Sequence, residues 1–237
     1  DRKPPPAAYG GDSPRLRREE KAGVWIGGMF WDGRATGEAL GDPLAEQAQG
    51  PFLNPNEHAL PNAEAVIGKV RAAAYAGLFG ERCKGTDTTE LYNCIGRAIA
   101  AYERSSEVSP FTSKYDHWLK GRARLTAEER LGRKLFQGKA KCAACHLSEG
   151  RKPLFPDFTY DNLGIPGNPD NPAYAENPTF ADPGLGGFLK IAGHPEAVWQ
   201  AELGKHKVPT LRNVGKRPAA APAFVKAFGH NGSFKSL

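Results

Sequence analysis

The chain has 237 residues, 40% of them hydrophobic, with a formal charge of +6, 20 prolines, 28 glycines and four cysteines. That apolar content suffices for a core in one large domain or two small ones, and the proline and glycine content favours helices joined by irregular loops over an extended sheet. No run of about 20 apolar residues exists, so no membrane span is expected, and the Lys and Arg residues are scattered without the interleaved aromatics of a nucleic-acid stripe. A solvated surface, or docking to an acidic redox partner, accounts for the charge.

Asp1 to Arg18, rich in Pro and Arg without periodicity, reads as an extended strap lying on something else. Val24 to Trp31 is a buried apolar passage interrupted by glycines. Leu44 to Ala48 reads as a short helix after Asp42-Pro43, and Pro51 to Glu57 as a loop broken twice by proline. The next helix is capped by Asn62, carries Glu64 in its positive first turn, and keeps apolar spacing through Val66, Val70, Ala73, Ala74 and Phe79 until Gly80 stops it.

Asp87 and Glu90 form a capping-box arrangement for a helix that buries Leu91, Ile95, Ala98, Ile99 and Tyr102. Thr126 and Glu129 repeat the box for a helix carrying Leu131, Leu135 and Phe136, which ends at Gly138 and delivers the chain to Cys142. Helices are scarce beyond it. Pro153 to Gly187 is a long shielding loop, Glu196 to Leu203 a brief helix, Val208 to Val214 a compact extended element, and Gly229 to Leu237 the beginning of a helix.

The most specific motif is Cys142-Ala143-Ala144-Cys145-His146. This is the C-x-x-C-H pattern of c-type haem attachment: Cys142 and Cys145 bond the vinyl groups, and His146 supplies an axial nitrogen to the iron. A zinc site would need a second pair of ligands at knuckle spacing, which the chain lacks, and a thioredoxin-like pair would need a strand before it where the sequence reads helical. Of the remaining cysteines, Cys94 lies on a predicted helix and Cys83 in the turn-rich stretch just ahead of it. A disulfide closing this short loop is expected and points to an oxidising compartment, with two unpaired small core residues as the alternative.

Several stretches together resemble the bacterial di-haem cytochrome c peroxidase family. They are Phe30-Trp31-Asp32-Gly33-Arg34-Ala35, then Glu46-Gln47-Ala48 followed by Pro51, Asn54 and Glu57, and Ala98 to Arg104. Ser109-Pro110-Phe111, Leu135-Phe136 before the Cys142 to His146 motif, Pro209 to Val214, and His230-Asn231-Gly232 continue the series in the family's order. The resemblance implies a mostly α fold of cytochrome c-like helical domains with long irregular loops. Residues 1–120 would be the remainder of a peroxidatic haem domain with linking helices, and 121–237 an electron-transfer haem domain.

It further implies reduction of hydrogen peroxide to water at a second haem, with electrons from a small cytochrome c or cupredoxin received at the haem of His146. Glu57 and Gln47 map onto the distal residues over the peroxidatic haem, and Trp31 onto the ring between the two haems. A desolvated carboxylate such as Glu57 can move a proton between the peroxide oxygens while Gln47 orients them. A periplasmic or other extracytoplasmic location, a calcium ion between domains and a homodimeric assembly are further family associations.

The chain departs from the pattern in having one C-x-x-C-H motif where the family has two, so a truncated chain is expected, with the other attachment site ahead of Asp1 and the sixth ligand of the His146 haem beyond Leu237. Within the chain Met29, His206 and His230 are the substitutes considered for that ligand, while His58, His117 and His194 read as surface or loop residues. Thr36 to Pro43 widens the usual spacing between Trp31 and Gln47. Some relatives that oxidise protein tryptophans carry Trp two residues before the second motif, where this chain has Ala140. A mono-haem electron-transfer module without catalysis, and a di-haem oxidase of an organic or protein substrate, are the competing readings.

Overall fold

The computed structural model describes residues 2–216 and 227–236. Helices α1 (Pro43–Leu53), α2 (Ala63–Arg71), α3 (Ala76–Arg82), α4 (Thr88–Arg104), α5 (Lys114–Leu119) and α6 (Ala127–Gln137) precede the cysteine motif; α7 (Ala173–Glu176), α8 (Gly184–Ile191) and α9 (Glu196–Gln200) follow it. Among the described residues, sheet is limited to two antiparallel pairs. β1 (Arg17–Glu19) pairs with β2 (Val24–Ile26), and β3 (Tyr160–Asp161) with β4 (His206–Lys207).

The helix starts follow local chemistry. Asn62 accepts from the Ala65 amide at 3.0 Å and Asp42 from that of Leu44 at 3.0 Å, while Ser113 with Asp116 and Thr126 with Glu129 form reciprocal capping boxes. Asp87 caps α4 as expected, but the Glu90 carboxylate returns to the Thr86 amide, one residue ahead of the cap.

Other expectations need correction. α1 runs through Pro51 to Leu53 because Gly50 lacks the Cβ that proline crowds in the preceding residue; a Cβ there would also lie 2.9 Å from the Phe30 ring. The single helix expected from Asn62 to Gly80 is two, broken at Ala72 to Tyr75, so that α3 can turn and bring Cys83 to Cys94. Ala72-Ala73-Ala74 would favour a continuous helix by propensity alone, so the break is a tertiary effect, and Gly80 is tolerated inside α3. The strap is not wholly extended, since it turns at Ala8-Tyr9 and again at Gly11-Asp12 before it enters β1, and Gly229 to Ser236 turns back through a Phe228–Phe234 bridge instead of starting a helix. The Val208 to Val214 stretch is extended only in part, ending in a short 3-10 turn at Val214–Lys216.

α4 presents Leu91, Ile95, Gly96 and Ala100 to the interior, whereas Ala98 and Tyr102 are exposed. Gly96 permits the close crossing with α1: an added Cβ would lie 2.7 Å from the Ala45 carbonyl. Among the described residues three apolar clusters result. Met29, Leu40, Leu44, Ala45 and Ala100 form the first. Val66, Ile67, Leu91 and Ile95 form the second, around the Cys83–Cys94 disulfide. The third joins Trp25 and Leu16 to Tyr160, Leu185 and Leu189, and the two fully buried leucines contribute about 1.5–3 kcal/mol each. The chain's first residues therefore pack on its second half.

A buried ion pair makes the same long-range connection. Asp116 on α5 is fully buried, and Arg212 grips both of its oxygens at 2.7 and 2.8 Å. Burial would push the Asp116 carboxyl up, but the hydrogen bonds from Arg212 and Ser113 outweigh it and hold the group below the ordinary carboxylate range. A depressed carboxyl stabilises the fold above its unfolded pKa, about 4, and that stability is lost as pH falls through the lower folded value. Urea unfolding of Asp116→Asn near neutral pH should show a loss of about 3 kcal/mol, the cost of leaving a buried charge without its partner. The difference from the parent should shrink steadily below about pH 4.

Candidate haem site

α6 ends at Gln137, with Gly138 as its C-cap, and Lys141 takes a left-handed conformation at φ 57°. The chain then winds into a tight 3-10 turn, Cys142–Ala144, closed by the His146 amide donating to the Cys142 carbonyl at 2.9 Å. Cys142, Cys145 and His146 are half-buried and all line one cavity of about 1030 Å³. This is at the top of the range of roughly 300–1,000 Å³ that takes drug-sized ligands and cofactors.

The cavity's apolar lining includes Leu163, Ile165, Val208 and Leu211. Neither motif thiol is disulfide-bonded. Burial, with Asp161 and Asp157 nearby, pushes the Cys145 thiol up, and its Sγ lies 3.6 Å from Asp161 Oδ2.

The decisive geometry is at His146, whose Nδ1 lies 2.7 Å from the Phe155 carbonyl oxygen. A carbonyl can only accept, so Nδ1 carries the proton and Nε2 keeps a lone pair for a metal. Two thiols on one turn, an imidazole with its tautomer set by a second partner, and an apolar cavity of cofactor size suit a covalently held haem.

Trp31 lines the same cavity and donates from Nε1 to the Lys3 carbonyl at 2.6 Å, while its own carbonyl accepts from the Lys207 amide at 2.9 Å. Beside it, His206 and His230 stack with centroids 3.6 Å apart, and the His230 ring stands edge-on to Trp31 at 6.3 Å. His206 donates from Nδ1 to the Gly204 carbonyl, and its Nε2 lies 3.3 Å from Asp182 Oδ2. Arg2 forks onto Asp182 with two bonds of 2.7 Å and also reaches Asp32. Burial would raise the Asp182 carboxyl, but Arg2 and His206 hold it well below the ordinary range. Burial and the neighbouring His206 lower His230 to about 4, so its ring is neutral.

Both histidines considered as axial substitutes thus stand on the cavity wall, engaged with each other, while Met29 is buried in the first cluster. His58 is exposed, as expected. His117 is half-buried, and so is His194, edge-on to Trp25 at 5.2 Å; both are less exposed than a surface reading implies. Among the described residues, Asp182, His206 and His230 form a cluster of potential metal ligands. It is nitrogen-rich where calcium wants oxygen. Most of the loop from Gly215 to Phe228 lies outside the described residues.

Gln47 is half-buried on α1, and Glu57 is exposed in the turn after it; neither lines the cavity. The structure therefore brings Trp31 to the cysteine motif and leaves Gln47 and Glu57 apart from it. Glu57 is not the desolvated carboxylate expected, because nothing among the described residues covers it.

Periodicity missed Lys207, which burial lowers to about 7 and whose Nζ donates to Ser13 Oγ at 2.9 Å. It also missed Phe155, where a positive φ of 73° at a non-glycine residue is visible only in three dimensions.

Residues 5–124 match the family described as di-haem cytochrome c peroxidase. This chain belongs to that family. It is 34% identical to the methylamine utilization protein MauG of Paracoccus denitrificans, over the whole of this chain and 58% of the relative. It is also 32% identical to the cytochrome-c peroxidase IdrP1 of Denitromonas iodatirespirans, over 88% of this chain and 54% of that protein. The crystal structure of the diheme peroxidase BthA from Burkholderia thailandensis superposes on all of this chain and 55% of the other, with a TM-score of 0.81 at 31% identity. The chain thus spans somewhat over half the length of these relatives, and the mostly helical fold is that of di-haem peroxidases. Haem c is the cofactor that membership of the family implies. In the full-length protein, Cys142→Ala and Cys145→Ala together should remove both thioethers at this site, so that the denatured chain weighs one haem less than the parent by intact mass and acid acetone extracts one porphyrin equivalent.

Proposed function

We propose that the complete protein is a di-haem oxidoreductase that reduces hydrogen peroxide, receiving electrons at the cysteine motif and passing them by Trp31 towards a second haem. The observation that carries this reading is the placement of Trp31 and the Cys142 to His146 turn on one cavity. Cys142 and Cys145 hold the porphyrin edge, and His146 offers Nε2 to the iron. When bound, the haem supplies one-electron redox chemistry.

Trp31 contributes a polarisable ring whose Nε1 donates to the Lys3 carbonyl, and its backbone carbonyl accepts from the Lys207 amide. Gln47 orients the peroxide by hydrogen bonding, and Glu57 takes a proton from the inner oxygen and returns it to the outer one. On this reading Glu57 would be desolvated in the complete protein and would act there as the proton-transfer group. The division at residue 120 into a peroxidatic remainder and an electron-transfer domain belongs to the same proposal, as does a periplasmic location. Among the described residues no helix is long and apolar enough to cross a membrane.

The electron donor is a small acidic redox protein. From Lys114 to Lys152 the chain has eleven Lys and Arg against four Asp and Glu, a net of +7 beside +6 for the whole chain. The net positive charge is therefore concentrated in the segment that carries the motif. Arg122, Arg124, Lys134, Lys139, Lys141 and Lys152 are all exposed. Such a field steers an acidic partner to the porphyrin edge.

A second reading has one observation behind it: the likeness to MauG, a methylamine utilization protein, runs the whole length of this chain. On it the protein is a di-haem oxidase of an organic or protein substrate. Ala140, where some tryptophan-oxidising relatives carry Trp, favours peroxide reduction instead.

Two measurements on the full-length protein test the proposal. Glu57→Gln should lower peroxide turnover by about 10²–10⁴-fold, and unchanged turnover would remove Glu57 from the chemistry. Turnover with an acidic donor protein should fall steeply as ionic strength rises from about 0.01 to 0.15 M, over which the Debye length shrinks from about 30 to 8 Å.

A further inference from the structure

Three consecutive carbonyls beside the motif are each held by a side chain from elsewhere in the chain. Pro153 O accepts from Arg212 Nε at 2.7 Å, Leu154 O from Thr210 Oγ1 at 2.7 Å, and Phe155 O from His146 Nδ1 at 2.7 Å. Phe155 sits in the left-handed region at φ 73°, a conformation that is unfavourable for a bulky residue and persists only when its surroundings enforce it.

Those surroundings are specific. The Arg212 guanidinium lies over the rings of Phe155, Phe111 and Tyr9 at 4.7–5.4 Å and forks onto buried Asp116. Phe136 meets Phe155 edge-on at 6.2 Å, and Tyr115 lies 5.9 Å away. Nothing in a surface loop requires an arginine buried this completely, with all its bonds spent on one carboxylate and one carbonyl.

We propose that Thr210 and Arg212, with Asp116 acting through Arg212, are positioning residues that set the hydrogen bond on the axial imidazole and so the potential of its haem. The physical link is short. The Phe155 carbonyl can stay in line with Nδ1–H only while the two carbonyls before it are fixed. A strong Nδ1–H bond makes the imidazole a better donor, which favours ferric iron and lowers the potential. Loosening the row weakens that bond and raises the potential. Since Asp116 belongs to α5, an element outside the motif's own segment takes part in tuning the motif.

The inference rests on haem attachment at Cys142 and Cys145. Its test is spectroelectrochemistry and ferric EPR on the full-length, haem-loaded protein in two variants that leave the local charge unchanged. Arg212→Lys keeps the cation but loses the fork and the Nε donor to Pro153. Thr210→Val keeps the volume but loses the hydroxyl.

Both should shift the midpoint potential of the His146 haem upward and change its low-spin g-values, while the potential of the other haem stays at the parent's value. If Arg212→Lys does not accumulate, Thr210→Val decides, because it removes one neutral hydroxyl. Haem-loaded variants with the parent's potential and g-values would overturn this inference and leave attachment untouched. A parent protein with no covalent porphyrin at Cys142 and Cys145 would overturn both.

Discussion

The hydrogen bond from His146 Nδ1 to the Phe155 carbonyl is the contact on which the rest of the site depends. It decides which imidazole nitrogen carries a proton, and therefore which can meet a metal. It also demands an unusual backbone, because the carbonyl belongs to a phenylalanine at positive φ. That conformation is held by Arg212, Thr210 and a ring of aromatics, so a bond between residues 146 and 155 is supported by residues as distant as Tyr9, Asp116 and Arg212.

The two guanidinium groups drawn into the interior each have carboxylate partners. Arg212 with Asp116, and Arg2 with Asp182 and Asp32, draw two guanidinium groups below the surface, and every one of these contacts joins segments far apart in the chain. Buried pairs of this kind are weak evidence for net stability, since desolvation offsets much of the attraction. What they do here is placement. Arg2 ties the strap to the wall carrying His206 and His230, and with it fixes the Lys3 carbonyl that holds Trp31. The exposed charge behaves differently: it is concentrated between Lys114 and Lys152, where it acts on partners through solvent.

Local signals were legible where local chemistry decides. Asn62, Asp87 and Thr126 cap the helices they were expected to cap, because a capping side chain reaches only amides two or three residues on. Signals that depend on neighbours were not. Pro51 reads as a breaker, yet α1 continues through it beside Gly50. Tyr102 keeps helical spacing with the buried face of α4 but turns outward, as α1 packs on the Leu91, Ile95, Gly96 and Ala100 face. Leu131 and Leu135 have the spacing of a buried stripe on α6, and both stay exposed because none of the described residues covers them.

The sequence by itself determined the motif that marks the site, the helices that lead to it and the two cysteines that close a loop ahead of α4, since each is a short-range pattern of residue type and spacing. Only the tertiary structure decided that Trp31 shares a cavity with that motif while Gln47 and Glu57 lie outside it. It alone also decided that Phe155, among many loop residues, supplies the acceptor for His146. The reason is physical: a backbone carbonyl has no residue identity, and the side chains that aim it come from positions up to about 200 residues apart, a separation that periodicity cannot register.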